Sequence, residues 1–255
     1  MQLLNTAIRA AQKGGEVVAR YYETGVAREV KDDKSFVTRA DKEAEEAIIT
    51  EIKSQFPDHG FLGEESGKTM GASEYTWVID PLDGTSNFVN GIPIFGVSVA
   101  VLQQGSPVAA AVYQPVGNTL YSAEKGKGTY WNGKPVRVSN GDAQHAMISF
   151  GPGKKEKERL NRIFSRVESY VKTKRYLGSA ALELAFLARG GTEGFICLGL
   201  NSWDYAAGVL IVEEAGGLIT HLDGTPWKFG DGDSFIASNG KIHDKLVSLV
   251  ASVKG

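Results

Sequence analysis

The chain has 255 residues, 42% hydrophobic and 23% charged, enough to bury a large core in one or two lobes. A net charge of −2 excludes a global field that recruits nucleic acid or an anionic membrane, so an anionic ligand has to be captured locally. The single cysteine, Cys197, excludes an internal disulfide, the segment Met1–Arg9 lacks the basic start of a signal peptide, and no run reaches the roughly 18 apolar residues of a membrane span; a soluble, cytoplasmic protein is expected.

Leu4, Ile8, Ala11, Gly15, Val18 and Tyr22 recur every three or four residues, which predicts an amphipathic helix over 3–23. The polar stretch 28–35 reads as a mobile loop. A second helix is predicted from Thr38 to Gln55, with Ala44, Ile48, Ile52 and Phe56 in register and Pro57 and Gly60 ending it. Residues 61–65 read as a short strand, and the Gly- and Ser-rich stretch 66–74 as a lid-like loop. Trp77-Val78-Ile79 is a buried strand that stops at Asp80-Pro81.

From Phe95 to Val138 strand follows strand, with turns at 104–106, 116–118 and 126–128 and a hairpin turn at Asn132-Gly133. The meander argues for an antiparallel sheet. Beyond residue 140 the rhythm alternates. Strands are predicted near 147–150, 173–177, 193–197, 217–221 and 234–238, and helices near 155–168, 179–189, 203–215 and 240–253, a layered α/β unit. The expected division is an N-terminal lobe, 1–140, and a C-terminal lobe, 141–255. Glycine, 31 of 255 residues, sits between these segments, as in a fold with many tight turns.

The segment that speaks of chemistry is Trp77-Val78-Ile79-Asp80-Pro81-Leu82-Asp83-Gly84-Thr85-Ser86-Asn87-Phe88. A hydrophobic strand delivers two carboxylates to a turn, where Asp80, Asp83 and the Leu82 carbonyl can present hard oxygens of the kind Mg²⁺ prefers. Gly84, Thr85 and Ser86 can open a helix whose free N–H groups suit phosphate. Asp-Pro and Asp-Gly are also common turn pairs, and an isolated D-x-x-D-G at a strand end is more often a solvated turn than a metal site.

With Gly63-Glu64-Glu65-Ser66 before it and Trp203-Asp204-Tyr205-Ala206-Ala207-Gly208 after it, this segment resembles the inositol monophosphatase-like, lithium-sensitive Mg²⁺ phosphatases, across essentially the whole chain. The resemblance implies an α+β fold, a layered αβαβα sandwich of the sugar-phosphatase type, with an antiparallel-rich sheet in the first lobe and a mixed α/β second lobe. It implies a homodimer, and two or three Mg²⁺ ions held by Glu64, Asp80, the Leu82 carbonyl, Asp83 and Asp204. Glu64 is otherwise a surface charge at a strand end, and Asp204 otherwise favours a helix start. Asp41, in Thr38-Arg39-Ala40-Asp41, matches the family's V-T-x-x-D segment, whose aspartate lies near Thr85 and the attacking water; it also reads as part of a capping box. In the implied reaction Glu64, Asp41 and Thr85 serve water attack, the amides around Gly84, Thr85 and Ser86 hold phosphoryl oxygens, and Gly178-Ser179-Ala180 and Asp204 line the substrate pocket.

Family members cleave inositol monophosphates, fructose 1,6-bisphosphate, histidinol phosphate, 3′-phosphoadenosine nucleotides or NADP. Inositol-specific members carry a glutamate seven residues before the W-D aspartate. Cys197 stands there, which weakens the case for inositol and reads as a small buried hydrophobe. Lys172, Lys174 and Arg175 are either a solvated face or a site for a second phosphate. The partner implied is a small phosphorylated metabolite, with no nucleic acid and no membrane. Other readings are a regulatory binding protein on the same fold and a structural Ca²⁺ module. His59, His145, His221 and His243 sit in turn or strand-end contexts and receive no role.

Overall fold

Two helical stripes and a long meander build the first half of the chain in the computed structural model, which describes residues 2–24, 28–30, 36–153 and 156–253. Helix α1 (Gln2–Thr24) is followed by strands β1 (Arg28–Val30) and β2 (Phe36–Thr38) and helix α2 (Arg39–Gln55). Then come β3 (Gly60–Gly63), β4 (Gly67–Thr69), β5 (Tyr75–Asp83), the short helix α3 (Thr85–Val89), β6 (Gly96–Gln103), β7 (Ser106–Gln114), β8 (Thr119–Glu124), β9 (Thr129–Trp131) and β10 (Lys134–Val136). Apart from the β1–β2 pair, these strands form one eight-stranded sheet, ordered β10-β9-β8-β7-β6-β5-β3-β4. Its neighbours run antiparallel except β3 and β5, which are parallel. Both of these strands therefore end at the same edge of the sheet.

The second half alternates: β11 (Met147–Pro152), α4 (Lys157–Glu168), β12 (Thr173–Arg175), α5 (Ala180–Ala188), β13 (Gly194–Leu198), α6 (Ser202–Glu214), β14 (Leu218–Thr220), β15 (Phe235–Ser238) and α7 (His243–Ala251). Its five strands form a mixed sheet in the order β12-β11-β13-β15-β14.

Three cores stack these elements into five layers. Successive strand residues face opposite ways, so Trp77, Ile79, Val97 and Val99 meet α1 and α2, while Val78, Ala100 and Val112 meet α5 and α6. Nearly every residue of α5 is buried, as a helix clamped between two sheets requires. Phe195, Cys197 and Phe235 close the same core from the second sheet, and Ile148, Ile196 and Ile236 face α4 and α7 on its far side. The order is helices, sheet, helices, sheet, helices, which is the αβαβα sandwich.

Three local expectations are corrected. Residues 28–30, expected as loop, form a strand paired antiparallel with 36–38, Glu29 opposite Val37, and Thr38 ends that strand one residue before α2; the loop reading of 31–35 falls outside the described residues. Within 66–74, residues 67–69 form β4 on the sheet edge, paired to β3 through three positions. His243 is not in a turn or at a strand end: it opens α7, 2% exposed, with its ring nitrogens 2.8 Å from the Ser238 and Thr220 hydroxyls.

Where α6 crosses α5, a Cβ on Gly208 would lie 2.7 Å from the Leu184 Cβ. Leu184 is fully buried and cannot swing away. Gly208→Ala is expected to destabilise the protein by about 1–3 kcal/mol, as overpacked cores do, read as a lower urea midpoint at unchanged slope. Burial holds the His243 imidazole below its ordinary pKa, partly opposed by Asp244. The unfolded chain therefore protonates first as pH falls, so this contribution is present above about pH 6.5 and is lost below it. Urea midpoints from pH 7 to 5 should fall less steeply in His243→Gln than in the parent.

Candidate active site

The site begins with a break in β5. Side chains three apart on a regular strand face opposite ways. Here Asp80 lies opposite Ser98 and Asp83 opposite Gly96, so three steps on β5 match two on β6, and the extra residue is a bulge. The bulge returns both carboxylates to one side. Inside it, the Leu82 amide donates to Asp80 Oδ1 at 3.0 Å and the Thr85 hydroxyl donates to the Leu82 carbonyl at 3.1 Å. Gly84 follows at φ 98°, left-handed backbone that glycine adopts without strain. A Cβ there would stand 2.9 Å from the Ile94 carbonyl. Thr85 then starts α3, with Ser86 exposed in its first turn.

Glu64 arrives from the parallel neighbour. Gly63 pairs with Ile79, and the Glu64 amide donates to the Ile79 carbonyl at 3.2 Å, so Glu64 leaves β3 level with Asp80. Asp204 comes from the middle helical layer. The hydroxyl of Ser98, opposite Asp80, donates to the Trp203 carbonyl at 3.3 Å and ties the start of α6 to β6. Asp204 Oδ2 also accepts the Asn201 amide at 2.8 Å, so the helix-start reading of this residue holds as well. Asp41 is buried in the first turn of α2; the Thr38 side chain of the expected capping box lies outside the described residues.

Gly178-Ser179-Ala180 is brought to the same place. The Ser179 hydroxyl and the Ala181 amide both donate to Asp83 Oδ2, each at 2.7 Å. Two residues that carried no expectation secure this segment. Asn87 Nδ2 donates at 2.7 Å to the carbonyls of Ile94 and Leu177, joining α3 to the loop. Glu183, 1% exposed, accepts the Leu177 and Gly178 amides on Oε1, while its buried Oε2 has no hydrogen-bond partner. A lone glutamate inside the apolar run of α5 is the one sequence feature that marked it. Tyr176, 61% exposed, adjoins this loop.

Electrostatically the centre gathers negative charge, with Glu64, Asp83 and Asp204 all acting on Asp80. Asp80 is 1% exposed and Asp83 9%. Burial, then Glu64, Asp83 and Asp204, push the Asp80 pKa well above the usual carboxylate range. Burial raises Asp83 to about 6 against the opposing hydrogen bonds from Ser179 and Ala181. Among the described residues no Lys or Arg pairs with Asp80 or Asp83. Nor do three His, Cys, Asp or Glu side chains among them stand ready-made around an ion; Asp83 and Asp204 each commit one oxygen to a helix start. In charge and donor type the set still fits a hard divalent cation, since buried carboxylates without counter-charge are costly.

Of the basic residues 172–175, Lys174 and Arg175 have partners within the segment or on α4. Lys174 bridges to Glu168 at 2.8 Å and lies 3.8 Å from the centre of the Phe164 ring, and Arg175 donates to Thr173 Oγ1 and the Lys174 carbonyl. Lys172 is exposed beside Phe164 and Glu168. Cys197 is fully buried in β13, its Sγ donates to the Asp233 carbonyl at 3.2 Å, and burial drives its pKa up. This is the small buried hydrophobe and not a nucleophile.

Residues 1–254 match the model of the inositol monophosphatase family. The Nus factor SuhB of Escherichia coli is 40% identical over 233 residues, covering 87% of this chain and 86% of that protein. The inositol-1-monophosphatase of Mesorhizobium japonicum is 38% identical over 256 residues, covering 97% and 96%. The crystal structure of the extragenic suppressor protein SuhB from Bartonella henselae superposes with a TM-score of 0.93 at 36% identity, over 98% of both chains. The chain belongs to the inositol monophosphatase family. That membership supports phosphatase activity.

Because the Asp80 and Asp83 pKa values are raised, the folded protein binds more protons than the unfolded chain between about pH 4 and 6. Metal-free protein therefore loses stability as pH rises through that window. Asp80→Asn keeps the acceptor for the Leu82 amide and removes the charge. In EDTA at pH 7.5 it should melt several degrees above the parent, and the gap should close towards pH 4. A lower Tm at pH 7.5 would show that the charge has a compensating partner.

Proposed function

We propose that this protein is a Mg²⁺-dependent phosphate monoester hydrolase acting on a small inositol or sugar phosphate. The observation that carries the reading is the buried pair Asp80 and Asp83, electrostatically joined to Glu64 and Asp204 and set beside the Gly84-Thr85-Ser86 turn. Glu64, Asp80, the Leu82 carbonyl, Asp83 and Asp204 would hold the ions. Bound Mg²⁺ supplies water activation and neutralises charge on phosphoryl and leaving oxygens.

The rest falls to the chain. Thr85 and Asp41 orient the attacking water and take its proton. The first amides of α3, at Thr85 and Ser86, have no acceptor within the helix and face the phosphoryl oxygens. Gly178, Ser179 and Ala180 border the leaving group, with Glu183 holding the Gly178 amide and Asp83 the Ser179 hydroxyl and the Ala181 amide. The engagement of Lys174 with Glu168 and Phe164 favours a monophosphate over a bisphosphate. With Cys197 turned to Asp233, the leaving group meets no carboxylate at that position.

A second reading, a regulatory binding protein on the same fold, is favoured by the relatives named Nus factor SuhB. Phosphate release decides between them. The substrates to be compared, with Mg²⁺ or EDTA, are inositol 1-phosphate, fructose 1,6-bisphosphate, histidinol phosphate, NADP and 3′-phosphoadenosine 5′-phosphate. The expected outcome is Mg²⁺-dependent, Li⁺-inhibited turnover, greatest on a monophosphate, that falls at least about 100-fold in Asp83→Asn. No turnover of any substrate by protein that binds Mg²⁺ would favour the regulatory reading.

A further inference from the structure

Helix α2 carries a second buried acid, Glu45, one turn beyond Asp41 and on the same face. It is 3% exposed amid the aliphatic stripe of Ala44, Ile48 and Ile52, where a carboxylate is costly unless its oxygens are occupied. They are. Oε2 accepts the Glu65 amide at 3.0 Å and Oε1 accepts the Ser66 amide at 2.7 Å.

The preceding residue confirms how closely the carboxylate is seated. A Cβ on Gly63 would fall 2.5 to 2.7 Å from Oε2, Cδ and Oε1 of Glu45, so glycine is what lets the chain pass over it. Glu64 lies between these contacts, its own amide held by the Ile79 carbonyl. The backbone of Glu64 is therefore pinned on one side by β5 and on the other by α2. The contact from β5 and the clamp from α2, twenty residues earlier in the chain, together hold the backbone from which the Glu64 side chain leaves.

We propose that Glu45 is a positioning residue of the active site: its carboxylate fixes the 63–66 turn so that Glu64 meets Asp80, and α2 thereby sets Asp41 and Glu64 in one motion. The inference rests on the hydrolase reading above. Partners that orient a metal ligand typically change metal affinity or activity about 10- to 100-fold when mutated, because the ligand then has to be ordered during binding.

The test uses the full-length protein and Glu45→Gln, which keeps the size and one acceptor but turns an NH₂ towards an amide N–H. Mg²⁺ binding is read by titration calorimetry, and kcat is read as a function of Mg²⁺. The expected result is at least about a 10-fold loss of Mg²⁺ affinity, with kcat largely recovered at saturating Mg²⁺ and the pH profile unchanged. Glu45→Asp, which keeps the charge but retracts it by one methylene, should show the same split and carries the test if the Gln variant does not fold.

Glu214→Gln is the control. Glu214 clamps the Gly126 and Gly128 amides at 2.7 and 2.8 Å, at the end of α6 remote from Asp204. It should lower Tm without moving the Mg²⁺ dependence. Parental Mg²⁺ affinity in both Glu45 variants, or an equal loss in Glu214→Gln, overturns the proposal and leaves the hydrolase reading standing. A parent protein that neither binds Mg²⁺ nor releases phosphate overturns both.

Discussion

Two carboxylates held out of water beside each other, with no cation among the described residues to answer them, set the terms for everything around them. Asp80 and Asp83 reach this arrangement because one extra residue in β5 turns an odd spacing into a shared face. The groups that meet them are neutral dipoles: the Leu82 amide, the Ser179 hydroxyl and the Ala181 amide. Dipoles orient a carboxylate without cancelling its charge. The site consequently stores unfavourable electrostatics in the metal-free protein, a cost common where function and stability compete.

A layered sandwich makes this affordable by converging separate elements on one edge. The parallel pairing of β3 with β5 is the exception in an otherwise antiparallel sheet, and it is what delivers Glu64 beside Asp80. The middle helices are buried on both sides, so their ends are the parts that reach the sheet edge. The first turns of α5 and α6 both arrive there, one through Ser179 and Ala181, the other through Ser98 and Asp204.

Carboxylates clamping backbone amides hold two loops at the site and a third remote from it. Glu45 takes those of Glu65 and Ser66, Glu183 those of Leu177 and Gly178, and Glu214 those of Gly126 and Gly128. Charge-assisted bonds of this type are stronger than neutral ones and fix a turn in one geometry. Glu183 differs in leaving one buried oxygen unpaired; its pKa is driven well above the usual range, chiefly by burial.

Periodicity in the sequence was enough for α1, α2, the meander and the alternation after residue 140, because each of these is a repeat of near neighbours. The spacing of Asp80, Leu82, Asp83 and Gly84, with the segments at Glu64 and Asp204, made the family legible for the same reason. The short strands β1, β2 and β4 escaped, since three residues are too few to carry a period and pair only when a partner strand is supplied. The basic run 172–175 left a solvated face and a second-phosphate site both open, and only the fold brings Phe164 and Glu168 of α4 to Lys174. Glu45 and Glu183 carried no expectation, because the amides they bind belong to turns whose shape only the fold decides. The bond from Ser179 to Asp83 spans 96 residues and that from Ser98 to Trp203 spans 105. The sequence alone determined which chemical groups this protein owns and the strands and helices that bear them; which groups share one desolvated place was decided by layer packing, because contacts that distant depend on cores that form only when the sheets and helices close on one another.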